Sequence, residues 1–287
     1  MRQTPILEVR GLTHVYSAGT PFEQKALDDI NLTVKQSEFI AIIGHTGSGK
    51  STLIQHLNGL LRPTAGRVLF RGRDIFAEKK ELRDIRFRIG LLFQYPEYQL
   101  FEETVLKDVC FAPKNYGFTP EECEEKAIAA LKLVGIDPDA KRDVSPFELS
   151  GGEKRRVAIA GVLAMEPEYL ILDEPTAGLD PKGHKDILDM VEKVRRDRNL
   201  TILLVSHNMD DAARMADRVL VLDKGRLAMN GTPQEVFSHH KELHEIGLGA
   251  PSSSELLYLL KEKGMDVRTD IFDEEEAAKE IVRALSK

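Results

Sequence analysis

Eight residues constrain this chain more than any others. Gly44-His45-Thr46-Gly47-Ser48-Gly49-Lys50-Ser51 fits G-x-x-x-x-G-K-[ST], directly after the apolar run Phe39-Ile40-Ala41-Ile42-Ile43 and before a helix-like stretch from Ser51 to Asn58 that Gly59 can stop. Such a strand-loop-helix lets backbone N–H groups curl around an anion while the helix N-terminus adds its positive dipole. In that setting Lys50 reaches the β- and γ-phosphates of a nucleotide and the Ser51 hydroxyl is placed to ligate Mg²⁺, with Thr52 completing the phosphate-binding stretch. At average residue frequencies a chance match in a chain of this length has a probability on the order of 0.01, so a plain glycine-rich turn is set aside. His45 reads as a filler whose backbone, not its ring, meets the phosphates.

Two further runs, Tyr169-Leu170-Ile171-Leu172 and Thr201-Ile202-Leu203-Leu204-Val205, are apolar throughout, as parallel strands covered on both faces are. The first ends in Asp173-Glu174, beyond the strand's C-terminal end, where open α/β sheets bind their ligands. There Asp173 can join a Mg²⁺ shell, through water, and Glu174 can polarise an attacking water. Ile6 to Arg10, Ile30 to Val34 and Val68 to Arg71 alternate instead, and predict a mostly antiparallel N-terminal sheet with one wet face. From about 95 to 165 strand signal is weak, and Pro120-Glu121-Glu122 opens a helix running to Val134-Gly135, which predicts a helical insertion. After about Gly231 the character changes again. Ser252-Ser253-Ser254 is expected to cap a helix from Glu255 to Lys263, and Asp273 another ending at Leu285.

Composition narrows the function classes. With 40 Lys and Arg against 47 Asp and Glu in 287 residues, a net charge of −7, the chain has no global positive field to hold nucleic acid. Its two cysteines, Cys110 and Cys123, make neither a disulfide framework nor a paired zinc motif and suit a reducing compartment. The N-terminus meets a charge before a signal peptide could build, and no run approaches the 18 or so apolar residues of a membrane span. Work at a membrane would therefore be peripheral.

Leu149-Ser150-Gly151-Gly152-Glu153 opens an Ala-rich apolar helix, so Ser150 and the glycine amides offer a second phosphate contact at a helix N-terminus. Phosphate loop, signature and strand-end carboxylates in this order resemble the ATP-binding cassette (ABC) ATPases, over about Ile6 to Phe237. The resemblance implies an α/β P-loop NTPase core with a mostly parallel sheet, an N-terminal antiparallel β subdomain, an inserted helical subdomain and a C-terminal helical extension, with domains at 1–237 and 238–287. It also implies ATP and Mg²⁺ as ligands. By the same resemblance Tyr16 stacks on adenine, Gln94 after the strand Ile89 to Phe93 touches Mg²⁺ and water, Asp180 belongs to the D-loop Ala177-Gly178-Leu179-Asp180, and His207 is the switch histidine at the γ-phosphate. Glu153 stands where Gln is the family's commonest residue. With the phosphate contacts resting on Ser150 and the glycine amides little loss is expected, although a carboxylate near ATP works against the nucleotide's charge.

In this family the phosphate loop of one subunit faces the signature of another. One motif set per chain then implies a dimer, with a paralogue or with itself. Tyr98, Gln99, Leu100 and Phe101, in the stretch Gln94 to Val105, resemble the segment by which the ATPases of energy-coupling factor (ECF) importers dock on a transmembrane T subunit. The stretches Gly44 to Leu61 and Ala177 to Gly183 look like the second of the two paralogous ECF ATPases, the CbiO type, and this resemblance implies a peripheral protein on the cytoplasmic face of the membrane, energising import of vitamins or transition-metal ions through S subunits, with no nucleic-acid partner and a tail that strengthens the dimer. A conventional ABC importer ATPase, or a non-transport ABC ATPase of nucleic-acid maintenance, would share the ATP motifs.

Overall fold

A computed structural model describes residues 5–77 and 79–286. Among them are ten strands: β1 (Leu7–Tyr16), β2 (Gln24–Val34), β3 (Phe39–Ile43), β4 (Ala65–Phe70), β5 (Arg73–Asp74), β6 (Ile89–Leu92), β7 (Tyr169–Asp173), β8 (Thr201–Val205), β9 (Arg218–Asp223) and β10 (Arg226–Gly231). The first sheet, β2-β1-β4-β5, is antiparallel; the second runs β10-β9-β3-β8-β7-β6 and is parallel except for β10.

The continuous apolar runs are explained by what covers them. Along β8, Ile202 and Leu204 enter the core shared with the helical insertion, while Leu203 and Val205 enter the core under the antiparallel sheet. In β7, Leu170 and Leu172 face the first core, Tyr169 and Ile171 the second. A strand buried on both faces has no polar side to alternate with. The equally apolar Val219 to Leu222 of β9 obeys the same rule and escaped the sequence reading. β1 and β2 extend well past the alternating cores Ile6 to Arg10 and Ile30 to Val34, because register shifts after Val9 and Leu12 let pairing continue through polar residues.

No strand interrupts residues 93–168. The insertion contains the helices Val105–Tyr116, Pro120–Leu133 and Gly151–Leu163. The second starts at Pro120, as expected, behind a capping box in which the Thr119 hydroxyl accepts from the Glu122 N–H while the Glu122 carboxylate accepts from the Thr119 N–H.

At the C-terminus one expectation is corrected. The helix Ser252–Glu262 begins three residues early, with Pro251 at its N-cap and no side-chain cap. Ser252 instead donates from its N–H and its hydroxyl to Asp210, both at 2.8 Å. Ser252 thus ties this helix start to Asp210, while the Ser254 hydroxyl donates to the Thr269 carbonyl within the C-terminal segment. Asp273 does cap the last helix, Glu274–Leu285, accepting from the Glu276 N–H. Phe237, Leu243 and Leu248 share a core with Val219 and Val221, so packing on the large sheet continues past residue 237, while Leu257, Val267, Ile271 and Ala277 form a small core of their own. No helix among the described residues is long and apolar enough to cross a membrane.

Candidate nucleotide site

The buried strand β3 delivers the glycine loop to the carboxyl edge of the sheet, and the helix Lys50–Leu57 leaves it. Gly49 sits at the N-cap with φ 105°, a conformation that costs a side-chain-bearing residue strain. The Ser48 N–H donates to the His45 carbonyl and the Gly225 N–H to the Ser48 carbonyl, so the turn between β9 and β10 clamps the loop from outside. The Lys50 ammonium donates to the carbonyls of Gly44 (2.6 Å) and His45 (3.0 Å). Burial pulls its pKa down, opposed by the charges of Glu174 and Asp173. The Ser48 hydroxyl is buried among the loop atoms with no hydrogen-bond partner.

His45 is more than a filler. One ring nitrogen lies 2.7 Å from the Thr46 carbonyl and the other 3.0 Å from Asp223 at the end of β9. The side chain therefore braces the loop against a strand 178 residues away in sequence.

Two residues far apart in sequence, Gln94 and His207, converge on the Glu174 carboxylate. Glu174 follows β7 with φ 47° and its N–H bonded to the Val205 carbonyl of β8, which aims its side chain across the strand ends. One oxygen accepts from Gln94 Nε2 at 2.9 Å and the other lies 2.7 Å from His207 Nε2. A positive φ at a non-glycine residue costs about 1–3 kcal/mol and persists where the surroundings over-determine it. Next to it, burial pushes the Asp173 carboxyl up to about 6, with the Glu174 charge adding to the effect and Lys50 opposing it.

A cleft of about 630 Å³ gathers Tyr16, Thr46, Gly47, Gly49, Lys50, Ser51, Thr52, Gln94, Glu174 and His207. That size and mixed lining suit a small-molecule ligand. At one end Tyr16, 39% exposed, offers a ring face; its hydroxyl is 3.2 Å from Thr52 Oγ1 and its ring is steadied edge-on by His14 at 4.4 Å. Lys25 and Lys224 also line the cleft and were not found from sequence. Neither belongs to a motif: Lys25 lies on β2, opposite Val15 of β1, and Lys224 on the turn between β9 and β10.

Ser150, Gly151, Gly152 and Glu153 lie outside this cleft, as does Asp180, which caps the helix Pro181–Arg198 by accepting from the Gly183 N–H. Ser150 caps the helix Gly151–Leu163 in a reciprocal box with Glu153. The Glu153 carboxylate accepts from the Ser150 N–H and hydroxyl and lies 2.9 Å from Lys141 Nζ. Lys141 first, then the Ser150 donors, hold its carboxyl at about 2, against an ordinary 4.5. Its charge is thus already answered within the subdomain. Because the folded pKa is depressed, this contribution to stability is complete above about pH 4.5 and lost as pH falls toward 2. Glu153→Gln should cost at most about 1 kcal/mol at pH 7, and the gap in melting temperature between variant and wild type should begin to narrow below about pH 4.5 and close only as pH approaches 2. A gap independent of pH would remove the charge from this account.

The Tyr98 to Phe101 segment lies elsewhere again. Gln99, Leu100 and Phe101 line a separate groove of about 410 Å³ with Phe87 and Phe111. Leu100 is buried and anchors the turn in the helical core, whereas Tyr98 is 84% and Phe101 56% exposed.

A family model described as "ABC transporter" matches residues 27–177. The chain belongs to the ABC transporter family. Over 96% of both chains it is 54% identical to the energy-coupling factor transporter ATP-binding protein EcfA2 of Clostridium tetani. The EcfA2 of Symbiobacterium thermophilum is 56% identical over 93% of this chain and 92% of its own. Among solved structures, CbiO1 from Clostridium perfringens, described as part of the ABC transporter complex CbiONQ, has a TM-score of 0.74 at 40% identity, covering 85% of this chain and 94% of that one. A dimeric ATP-binding cassette in a post-hydrolysis state, bound to ADP and Pi, has a TM-score of 0.69 at 29% identity, covering 79% of this chain and 98% of that one. The α/β architecture of this ABC protein, with a phosphate loop leaving a parallel sheet, is thus that of the P-loop cassettes it resembles.

Proposed function

We propose that this chain is the ATP-hydrolysing subunit of an ECF-type importer of vitamins or transition-metal ions, paired with a paralogous ATPase on the cytoplasmic face of the membrane. The observation that carries the reading is the convergence of Gln94, Glu174 and His207 on a cleft lined by the glycine loop; near-full-length identity to the EcfA2 relatives supports the transporter class.

ATP is held with its phosphates on the loop amides and Lys50 and its adenine against Tyr16. Glu174 takes the proton of the attacking water, while Gln94 and His207 orient that carboxylate and His207 reaches the γ-phosphate. The donors available for a cation are hard oxygens: the Ser51 hydroxyl, the Gln94 amide and, through water, the Asp173 carboxylate. With the Asp173 carboxyl buried beside a like charge, that set fits Mg²⁺ rather than a thiophilic metal. Bound there with ATP, the ion supplies positive charge to the phosphate oxygens.

Since Ser150 to Glu153 lie outside the cleft, a second subunit supplies the signature that closes over ATP. Closure and reopening of that interface transmit force. The exposed Tyr98 and Phe101 meet the T subunit, S subunits bind the cargo, and residues 238–287 reinforce the ATPase pair.

Affinity capture of the chain from detergent-solubilised native membranes tests this. Recovery of a second ABC ATPase, a multi-spanning T protein and small integral S proteins is the expected result; a homodimer on other permease subunits overturns the ECF assignment, and soluble nucleic-acid machinery alone overturns transport. Tyr98→Ala with Phe101→Ala should keep nucleotide affinity within about twofold but reduce recovery of the membrane partner by tenfold or more, the scale of losing two aromatic anchors. Unchanged recovery would exclude this docking surface.

A further inference from the structure

Arg155 is used by none of the motifs, yet it is the largest fully buried side chain, 1% exposed. It stands one turn into the helix that Ser150 caps. Its Nε and one terminal nitrogen grip the Glu97 carboxylate in a fork at 3.1 and 2.7 Å, and the other terminal nitrogen donates to the carbonyls of Pro175 (2.9 Å) and Ala177 (2.8 Å). One rigid guanidinium thereby joins three segments: the signature helix, the turn Pro96–Gln99 that carries Tyr98, and the loop between Glu174 and Asp180. The neighbouring Arg156 donates to the Val134 carbonyl, inside the helical insertion.

From this geometry we infer that Arg155 is a positioning residue: through Glu97 on one side and the Pro175 and Ala177 carbonyls on the other, it makes the position of the Pro96–Gln99 turn set the position of Glu174 and of the signature helix. The idea deepens the transporter reading and rests on it for the identity of what pushes the turn. Its physical basis is the planar fork, which fixes distance and angle together where a flexible ammonium would not. The Ala177 N–H donates to the Glu174 carbonyl, so a shift of the Ala177 carbonyl is passed directly to the catalytic backbone. Misplacement of a reacting group by about 1 Å can cost on the order of a hundredfold in rate.

The test uses the full-length chain, purified alone and with whatever membrane proteins it captures, in the variants Glu97→Gln, Glu97→Asp and Arg155→Lys. Turnover per nucleotide-occupied site and the Kd for ATP are measured below each variant's melting temperature. Glu97→Gln and Arg155→Lys are expected to lose about tenfold or more in turnover with Kd changed less than about twofold, and the difference in turnover between the isolated and the complexed wild type should collapse in both. Glu97→Asp, which restores a carboxylate, should recover most of the loss. Should the buried arginine without its partner prevent folding, the paired apolar replacement Arg155→Met with Glu97→Leu keeps the site filled and is expected to show the same turnover loss. Turnover per site within twofold of wild type in Glu97→Gln and Arg155→Lys, or in the paired apolar variant, overturns the inference and leaves Arg155 as fold support. If the wild type captures no membrane protein, the transporter reading falls, while turnover of the isolated chain still decides the role of Arg155.

Discussion

Glu174→Gln is expected to leave ATP bound and to lower hydrolysis by at least about a hundredfold. The replacement has nearly the same shape, so the packing behind the strand end is undisturbed, and the backbone N–H bond to the Val205 carbonyl remains. What goes is the negative charge on which Gln94 and His207 converge, at 2.9 and 2.7 Å. An amide cannot take a proton from water at neutral pH, and it turns an NH₂ group toward one of two side chains that now meet acceptors. In the proposed site nucleotide binding rests on the glycine loop, Lys50 and Tyr16, none of which is hydrogen-bonded to the Glu174 carboxylate. Phosphate release per occupied site, set against the Kd for ATP, separates the two effects. Hydrolysis near the wild-type rate would take Glu174 out of its assigned role.

Gly49→Ala should weaken ATP binding by on the order of a hundredfold without unfolding the large sheet. A methyl group built at this position meets the Ala26 carbonyl at 2.7 Å and Leu27 Cδ2 at 2.9 Å, both closer than side chains tolerate. The residue also holds φ 105°. Strain in that region costs about 1–3 kcal/mol, overpacking about 1–3 more, and roughly 3 kcal/mol of the total falls on the loop that must keep its shape to bind phosphate. Relief requires the loop to move away from β2, which lifts Lys50 and Ser51 with it because the helix Lys50–Leu57 starts at the next residue. Nucleotide titration of the variant, with circular dichroism as the control for folding, checks this; wild-type affinity would show that the loop tolerates the shift.

The site was legible in proportion to how local its signals are. The glycine loop could be read because its conformation is dictated by residues adjacent in sequence, and β3, β7 and β8 because burial on both faces leaves an unbroken apolar run. The capping boxes at Thr119 and Ser150 each lie within four residues and carry a local signal, whereas the ion pair of Glu153 with Lys141 became visible only in three dimensions. The serine triplet at 252 misled because a capping residue and a residue bonded to a distant carboxylate look the same in one dimension. Asp210 is 42 positions earlier. Lys25 and Lys224 in the cleft, and the bracing of His45 by Asp223, had no local signal at all.

By itself the sequence determined the local groups: a P-loop motif, two strand-end carboxylates, a second glycine-rich helix start and a net negative charge. Each follows from short-range geometry or from charge, which survive without knowledge of the chain's path. Tertiary structure decided which of these groups meet. It aimed Gln94 and His207 at Glu174, kept the signature away from the cleft, and threaded Arg155 between Glu97 and the Pro175 and Ala177 carbonyls. Parallel pairing brings together strands that are adjacent in the sheet but separated by whole helical segments in the chain, so the contacts that set the Glu174 carboxylate are the ones that no short stretch of sequence contains.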